Sequence, residues 1–96
     1  MKPLVFLDLA EAEKDAAARF YQDREPGLGQ RFLEEIQAAT SWIAQHPEGW
    51  PLIDKNFRRC QLEGFPYYLI YRITSDYILV YTVIHQKRRP DSWRKR

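Results

Sequence analysis

The spacing of apolar residues changes once along the chain, and this change limits the folds available to it. Between Leu9 and Gly49, apolar side chains recur about every 3.6 residues, which is the period of α-helices. From Phe57 to His85 they follow the two-residue period and the β-branched and aromatic composition of strands. Helices followed by consecutive strands predict an α+β fold.

A first strand and a first helix are predicted near the N-terminus. Leu4 to Leu7 is a short apolar run that is compatible with a strand. Asp8 follows it and, together with Glu11, forms a variant of the capping box that begins a helix. We expect this helix to run from about Leu9 to Asp23. The residues interpreted as its apolar, core-packing positions are Ala12, Ala16, Ala17, Phe20 and Tyr21.

A second helical segment follows the break at Pro26 and Gly27 and ends before His46 and Pro47. Its apolar positions are Phe32, Leu33, Ile36, Ala39 and Ile43. Two amphipathic helices joined by a short linker predict an antiparallel helical hairpin.

Three strands are predicted in the second half of the chain. They comprise Arg58–Leu62, Tyr67–Ile73 and Tyr77–His85, separated by turn residues at Glu63–Gly64 and Thr74–Asp76. The complete prediction is a β-α-α-β-β-β order, with a two-helix antiparallel hairpin packed on a small curved, mainly antiparallel β-sheet.

Alternation along the last two strands predicts which face the helices cover. The odd-numbered side has no charge before His85, so we expect it to lie under the helices. The even-numbered side has polar tips and is expected to be open or covered by a partner. The odd-numbered residues are Leu69, Tyr71, Ile73, Leu79, Tyr81 and Val83; the even-numbered ones are Tyr68, Ile70, Arg72, Ile78, Val80, Thr82 and Ile84.

Length and composition limit the class of protein. A chain of 96 residues is expected to form a single domain, residues 1–96, with one modest core. Cys60 is the only cysteine, which excludes an internal disulfide and indicates a reducing compartment. Neither a signal peptide nor a membrane-spanning run is apparent, so we expect a cytoplasmic protein without membrane contact.

Positive charge is concentrated at the C-terminus. The net charge is only +2, yet the last ten residues contain six arginines and lysines against Asp91 alone. This distribution favours contact with an acidic protein or a phosphate backbone over general coating of nucleic acid.

The sequence contains none of the common catalytic or cofactor motifs. Glycine-rich phosphate loops, paired cysteines and the His-Glu-x-x-His motif are absent, so we expect no metal and no cofactor. His46 is interpreted as a helix-end residue and Cys60 as a buried apolar side chain. His85 has two interpretations: a proton shuttle beside an RNA 2′-hydroxyl, or a ring that hydrogen-bonds backbone and fixes the tail.

Arginines at strand ends are the candidate binding residues, because guanidinium groups bind carboxylates and phosphates. Trp93 could stack on a nucleobase or fold back to hold the tail on the domain. The predicted set that contacts a partner or target is Arg58, Arg59, Arg72, Arg88, Arg89 and Trp93.

An ordered set of motifs resembles the RelE/ParE toxins of type II toxin–antitoxin systems, the plasmid-stabilisation type. The motifs are Arg58-Arg59-Cys60, Phe65-Pro66-Tyr67, Tyr71-Arg72 and His85-x-x-Arg88-x-Pro90-x-x-Trp93. The resemblance implies the fold described above and a cognate antitoxin that wraps the toxin, with a toxin–antitoxin hetero-oligomer as one outcome.

The resemblance implies two alternative targets. RelE-like members are ribosome-dependent mRNA endoribonucleases, and in this chain such a nuclease would use Arg59, His85, Arg88 and Arg89. ParE-like members inhibit DNA gyrase without a known catalytic residue.

The ParE-like branch is favoured by departures from the nuclease pattern. These departures are Gln61, Tyr68 and Arg94, which occupy positions where the nuclease has arginine, lysine or tyrosine. The pairs Tyr71-Arg72 and His85-Gln86 resemble ParE, and the low net charge is unlike that of a ribosome binder. A third hypothesis is a non-toxic relative that retains only antitoxin binding.

Overall fold

A computed structural model describes residues 1–88 and 92–95, with only the backbone of Lys95. Two helices pack on a four-stranded sheet, and a 3-10 turn follows in the tail. The elements are β1 (Leu4–Phe6), α1 (Asp8–Arg24), α2 (Leu28–Gln45), β2 (Arg58–Gln61), β3 (Tyr67–Ile73), β4 (Ile78–His85) and the 3-10 turn Ser92–Lys95. The predicted α+β fold and element order are confirmed.

The sheet is mixed, with strand order β1-β4-β3-β2. β1 runs parallel to β4, whereas β3 is antiparallel to both β4 and β2. The hairpin of β3 and β4 is therefore central in the sheet.

The turn between the helices is closed by one side chain. Oε1 of Gln22 accepts hydrogen bonds from the backbone N–H groups of Gly27 and Gly29, at 3.0 and 3.2 Å. It therefore satisfies amides at the start of α2 that have no partner within the helix. Gly27 has a φ of 90°, which glycine adopts without a steric cost.

The capping-box prediction for α1 is wrong. Asp8 is already the first helical residue, Leu7 is at the N-cap position, and no side chain caps the helix. The carboxylates of Asp8 and Glu11 lie in the first turn, where they interact favourably with the helix dipole.

The predicted core face of α1 is also partly wrong. Ala12, Ala16 and Phe20 are exposed, and the side facing the core carries Ala10, Ala17 and Ala18. Alanines occur on every side of this helix, so their spacing alone does not identify the buried face.

A bulge in β4 changes which residues face the helices. Ile70 pairs with Thr82, but Tyr71 pairs with Val80, so Tyr81 is an extra residue in β4. An extra residue reverses the alternation of side chains along a strand. Ile78 and Val80 consequently belong to the core under the helices, in contrast to the prediction from parity.

Tyr81 was predicted to lie under the helices, but it packs on the opposite face of the sheet. Leu79 also departs from its predicted place, since it pairs with Arg72 on that face. The assignments on β3 and at Val83 are confirmed.

The core between helices and sheet is mainly aliphatic and aromatic. Tyr71 is fully buried within it, and its hydroxyl donates to the carbonyl oxygen of Pro47 at 2.7 Å. Burial raises the pKa of Tyr71 to about 12. Tyr71 thus connects the centre of β3 to the segment that follows α2.

None of the helices among the described residues combines the length and apolar character needed to span a bilayer.

Candidate functional site

The face of the sheet opposite the helices, here called the open face, carries a second apolar cluster. Its buried members are Ile70, Ile84 and Trp93, and its partly buried members are Ile53, Phe57, Tyr68 and Tyr81. This face was predicted to be open or covered by a partner. In the structure the centre of this face is covered by Trp93, from the C-terminal 3-10 turn Ser92–Lys95, which we call the tail.

Trp93 holds the tail against the open face. Its side chain is only 4% exposed, and its ring packs edge-on against Phe57 and Tyr81 at centroid distances of 4.9 and 5.6 Å. The interpretation that Trp93 folds back onto the domain is confirmed. Because the ring is buried, it is not available to stack on a nucleobase.

An ion pair beside Trp93 attaches the tail to the segment before β2. The guanidinium of Arg94 donates to Oδ2 of Asp54 at 2.5 Å. Oδ1 of Asp54 accepts from the backbone N–H groups of Asn56 and Phe57, at 2.8 and 2.9 Å. The Asn56 amide, then Arg94 and the Phe57 amide, lower the pKa of Asp54 to about 2.

Two of the predicted arginines lie on the open face, on either side of the aromatic cluster. Arg59 is opposite Ile70 in the sheet, and its guanidinium lies 4.6 Å from the ring centre of Tyr68. Arg72 lies 5.6 Å from the ring centre of Phe57. Arginine on an aromatic face is held in place while its outer N–H groups stay free to bind an anion.

Arg72 has an unsatisfied donor. Its Nε is buried and has no hydrogen-bond partner within the described residues. A buried N–H without an acceptor carries a free-energy cost, and a carboxylate of another molecule cannot reach this nitrogen in the present arrangement, because the nitrogen is not exposed.

Arg58 is engaged on the other side of the sheet. It pairs with the core residue Tyr71, and its Nη1 donates to the carbonyl oxygens of Trp50 and Glu48 at 2.6 and 3.2 Å. Arg58 belongs to the predicted binding set. In the structure its side chain holds the segment that follows α2.

His85 and Arg88 lie on the helix side, in what we call the α1 groove. This groove of about 260 Å³ runs between α1 and the ends of β3 and β4. Its lining is Glu13, Ala16, Ala17, Phe20, Tyr67, Val83, Ile84, His85 and Arg88.

The backbone fixes the ring of His85. Its Nδ1 accepts a hydrogen bond from the Lys87 N–H at 3.0 Å, and its ring packs edge-on against Tyr67 at 5.1 Å. Of the two interpretations of His85, hydrogen bonding to the backbone is confirmed. An imidazole that accepts at Nδ1 carries its proton on Nε2.

Glu13 joins α1 to the bulge at the base of the same groove. Its Oε1 accepts hydrogen bonds from the hydroxyl of Thr82 at 2.8 Å and the N–H of Val83 at 3.1 Å. The buried Thr82 hydroxyl and a bulge amide are thereby satisfied.

The structure therefore separates the residues that a nuclease would need together. Arg59 lies on the open face, whereas His85 belongs to the opposite face and lines the α1 groove with Arg88. Arg89, the fourth member of that set, lies outside the described residues. Cleavage of a phosphodiester needs several donors directed at one developing charge, and Arg59 is not placed with the other two.

Cys60 lies in the core, and His46 lies at the C-terminal end of α2. Burial raises the pKa of Cys60 to about 12, so this thiol is protonated and behaves as an apolar side chain, as predicted. His46 ends α2 and packs 4.7 Å from the Trp42 ring. Within residues 1–88 and 92–95, no three His, Cys, Asp or Glu side chains are grouped to hold a metal ion.

Two carboxylates that accept structural hydrogen bonds, those of Asp54 and Glu13, were not predicted from the sequence. Asp54 could have been found, because an Asp side chain in a polar segment commonly accepts a hydrogen bond from the backbone N–H two residues later. Glu13 carries no local sign of its role, since its partners are about 70 residues away.

The chain is similar to known proteins in sequence and in fold. A family model described as the ParE toxin of type II toxin–antitoxin system, parDE, matches residues 4–90. Among solved structures, one from P. aeruginosa, "Chromosomal ParDE TA system", superposes with a TM-score of 0.75 at 20% identity. The match covers 88% of this chain and 96% of that chain. No curated protein is significantly similar in sequence.

Proposed function

The chain belongs to the ParE toxin family of type II toxin–antitoxin systems, and we propose that it stops bacterial growth by binding DNA gyrase in the cytoplasm. In this proposal the toxin acts by occupying its target rather than by cleaving RNA. A cognate antitoxin neutralises it in a toxin–antitoxin complex. The solved ParDE toxin–antitoxin system of similar fold supports the antitoxin as a partner.

The separation of the candidate residues carries this proposal. Arg59 and Arg72 lie on the open face, whereas His85 belongs to the opposite face and lines the α1 groove with Arg88. The backbone hydrogen bond at Nδ1 also leaves His85 only one ring nitrogen for other contacts. This arrangement favours binding over nuclease chemistry.

The open face offers a suitable contact surface for a protein. Arg59 and Arg72 are held on aromatic rings. Arginines supported by aromatic side chains are common at the energetic centres of protein interfaces. We propose that they bind carboxylates of gyrase.

Induced expression in a bacterium tests the proposal. Growth should stop, an SOS reporter should be induced and gyrase–DNA cleavage complexes should accumulate. Arg59→Ala should weaken all three responses, because Arg59 is exposed and its removal leaves the core intact. Arg31→Ala is the matched control, since Arg31 is an exposed arginine on α2.

Primer extension on a translated message distinguishes the alternative. Codon-phased cuts that disappear in His85→Ala or Arg88→Ala would overturn the gyrase proposal in favour of a ribosome-dependent nuclease. Normal growth at high levels of folded protein would contradict both toxic activities and indicate a relative that only binds antitoxin.

A further inference from the structure

The guanidinium of Arg72 is held by a ring that does not belong to the sheet. Arg72 lies in β3, opposite Leu79 of β4, and its guanidinium is 5.6 Å from the centre of the Phe57 ring. Phe57 precedes β2, in the segment that connects α2 to the sheet. The Nε of Arg72 is buried, whereas the residue as a whole is partly exposed. The orientation of this guanidinium therefore depends on how firmly Phe57 is fixed.

Asp54 fixes the backbone of Phe57. Its Oδ1 accepts a hydrogen bond from the Phe57 N–H at 2.9 Å, and the Phe57 carbonyl oxygen accepts one from the Ile53 N–H at 2.8 Å. In a segment without regular secondary structure, bonds from a side chain to the backbone set the course of the chain. Removal of the Asp54 carboxylate would therefore release the Phe57 amide.

The tail fixes the ring of Phe57. This ring packs edge-on against Trp93 at 4.9 Å and against Tyr81 at 5.2 Å. Arg94, beside Trp93, connects the tail back to Asp54: its Nη1 donates to Oδ2 at 2.5 Å, and its guanidinium lies 4.3 Å from the centre of the Trp93 ring. Asp54 and the tail thus form one connected set of contacts around Phe57.

The other arginine of the open face has a different support. The guanidinium of Arg59 lies 4.6 Å from the ring centre of Tyr68. Tyr68 belongs to β3, which is hydrogen-bonded to a strand on each side. The support of Arg59 is therefore part of the sheet, whereas the support of Arg72 depends on the tail and on Asp54.

We propose that Asp54 and Trp93 are positioning residues for Arg72: they fix Phe57, and the ring of Phe57 holds the Arg72 guanidinium in the orientation that binds a carboxylate of the target. An arginine that is already ordered loses less side-chain freedom on binding, so its contact contributes more to affinity. The positioning is a property of the chain by itself, and only the identity of the target rests on the proposed function.

Nuclear magnetic resonance of the arginine Nε–H groups tests the positioning without any target. In the full chain, the buried Nε–H of Arg72 should exchange slowly with water. Asp54→Ala and Phe57→Leu should each raise this exchange rate at least about tenfold, because the guanidinium is then no longer held on a fixed ring. Lys55→Ala is the matched control, since Lys55 is an exposed residue of the same segment. An exchange rate that neither variant changes would overturn the proposal.

A double-mutant cycle in the gyrase supercoiling reaction separates positioning from a general loss of structure. Asp54→Ala should weaken inhibition at least about threefold in the unmodified chain and have no further effect in Arg72→Ala, because the arginine that it positions is then absent. In Arg59→Ala the full effect of Asp54→Ala should remain. Trp93→Phe should retain more inhibition than Trp93→Ala, since it keeps a ring against Phe57.

The possible outcomes of the cycle are distinct. An equal effect of Asp54→Ala in the unmodified chain, in Arg72→Ala and in Arg59→Ala would mean that Asp54 acts only on the stability of the fold, which contradicts the positioning. Absence of inhibition by the unmodified, folded chain would instead contradict the proposed function, and the exchange rate of the Arg72 Nε–H would then decide the positioning alone.

Discussion

At the scale of single residues, Gly29 determines how closely the two helices approach. A Cβ at this position would lie 2.5 Å from the carbonyl oxygen of Ala18 and 2.9 Å from Cβ of Gln22. The missing side chain also lets the Gln22 amide reach the start of α2. The absence of a side chain at Gly29 therefore permits both the close packing of α1 on α2 and the hydrogen bond that closes the turn between them.

Gly29→Ala should lower the free energy of unfolding by about 1–3 kcal/mol, because the helices must separate to relieve contact with a backbone oxygen. Urea denaturation measures the change. Gly64→Asn is the control: Gly64 has a φ of 80° with open space around it, and Asn tolerates that conformation. Equal stability of Gly29→Ala and the unmodified chain would contradict the packing described for this junction.

Asp54 makes the attachment of the tail sensitive to acid. Its pKa is lowered from 3.8 to about 2 in the folded chain, so the unfolded chain takes up the proton first as the pH falls. The stabilisation by Asp54 is therefore complete above about pH 4 and is lost as the pH falls towards 2.

Asp54→Asn should flatten the loss of stability between pH 4 and pH 2, because the variant has no carboxylate to protonate. Urea denaturation at several pH values in this window measures the slope. Asp23→Asn, an exposed aspartate on α1, is the control and should keep the slope of the unmodified chain. The same slope in Asp54→Asn would show that Asp54 does not stabilise the fold through its charge.

At the scale of elements, the bulge in β4 decides which residues face the helices. Tyr81 is the extra residue, and it places its own ring on the open face beside Phe57 and Trp93. Glu13 of α1 then satisfies the hydroxyl of Thr82 and the amide of Val83 just beyond the bulge. The bulge and the helix thus stabilise each other.

Glu13→Ala should destabilise the chain by about 1–3 kcal/mol, since it leaves the buried Thr82 hydroxyl and the Val83 amide without an acceptor. Hydrogen exchange should show faster exchange at Val83 in particular. Glu11→Ala is the matched control on the same helix, because Glu11 is exposed and ion pairs made by exposed carboxylates contribute about 0–1 kcal/mol. Unchanged protection of Val83 would contradict the role given to Glu13.

Periodicity was sufficient to predict the order of the elements and most of their bounds. The first helix, expected at Leu9 to Asp23, spans Asp8–Arg24. The faces were harder to predict, because one extra residue such as Tyr81 reverses the pattern without any change in composition. In α1, alanines on every side left the choice of buried face open, and Phe20 was placed wrongly as a result.

At the scale of the whole molecule, the chain presents two separate surfaces. The open face combines Arg59 and Arg72 with an aromatic cluster under the tail, and the α1 side combines His85 and Arg88 with Phe20. Residue type predicted these arginines as candidates. Their distribution between two faces depends on strand register and on the bulge, which are properties of the assembled sheet.

The central claim is that this ParE-family chain inhibits gyrase by binding, with Arg59 on the contact surface. Titration of the purified chain into a gyrase supercoiling reaction tests it most directly. We predict that supercoiling is inhibited, that Arg59→Ala needs at least about tenfold more protein for the same effect, equivalent to ~1.4 kcal/mol, and that Arg31→Ala does not differ from the unmodified chain. The claim would be contradicted if expression of the chain arrests growth but the purified, folded chain leaves supercoiling undiminished at a large molar excess.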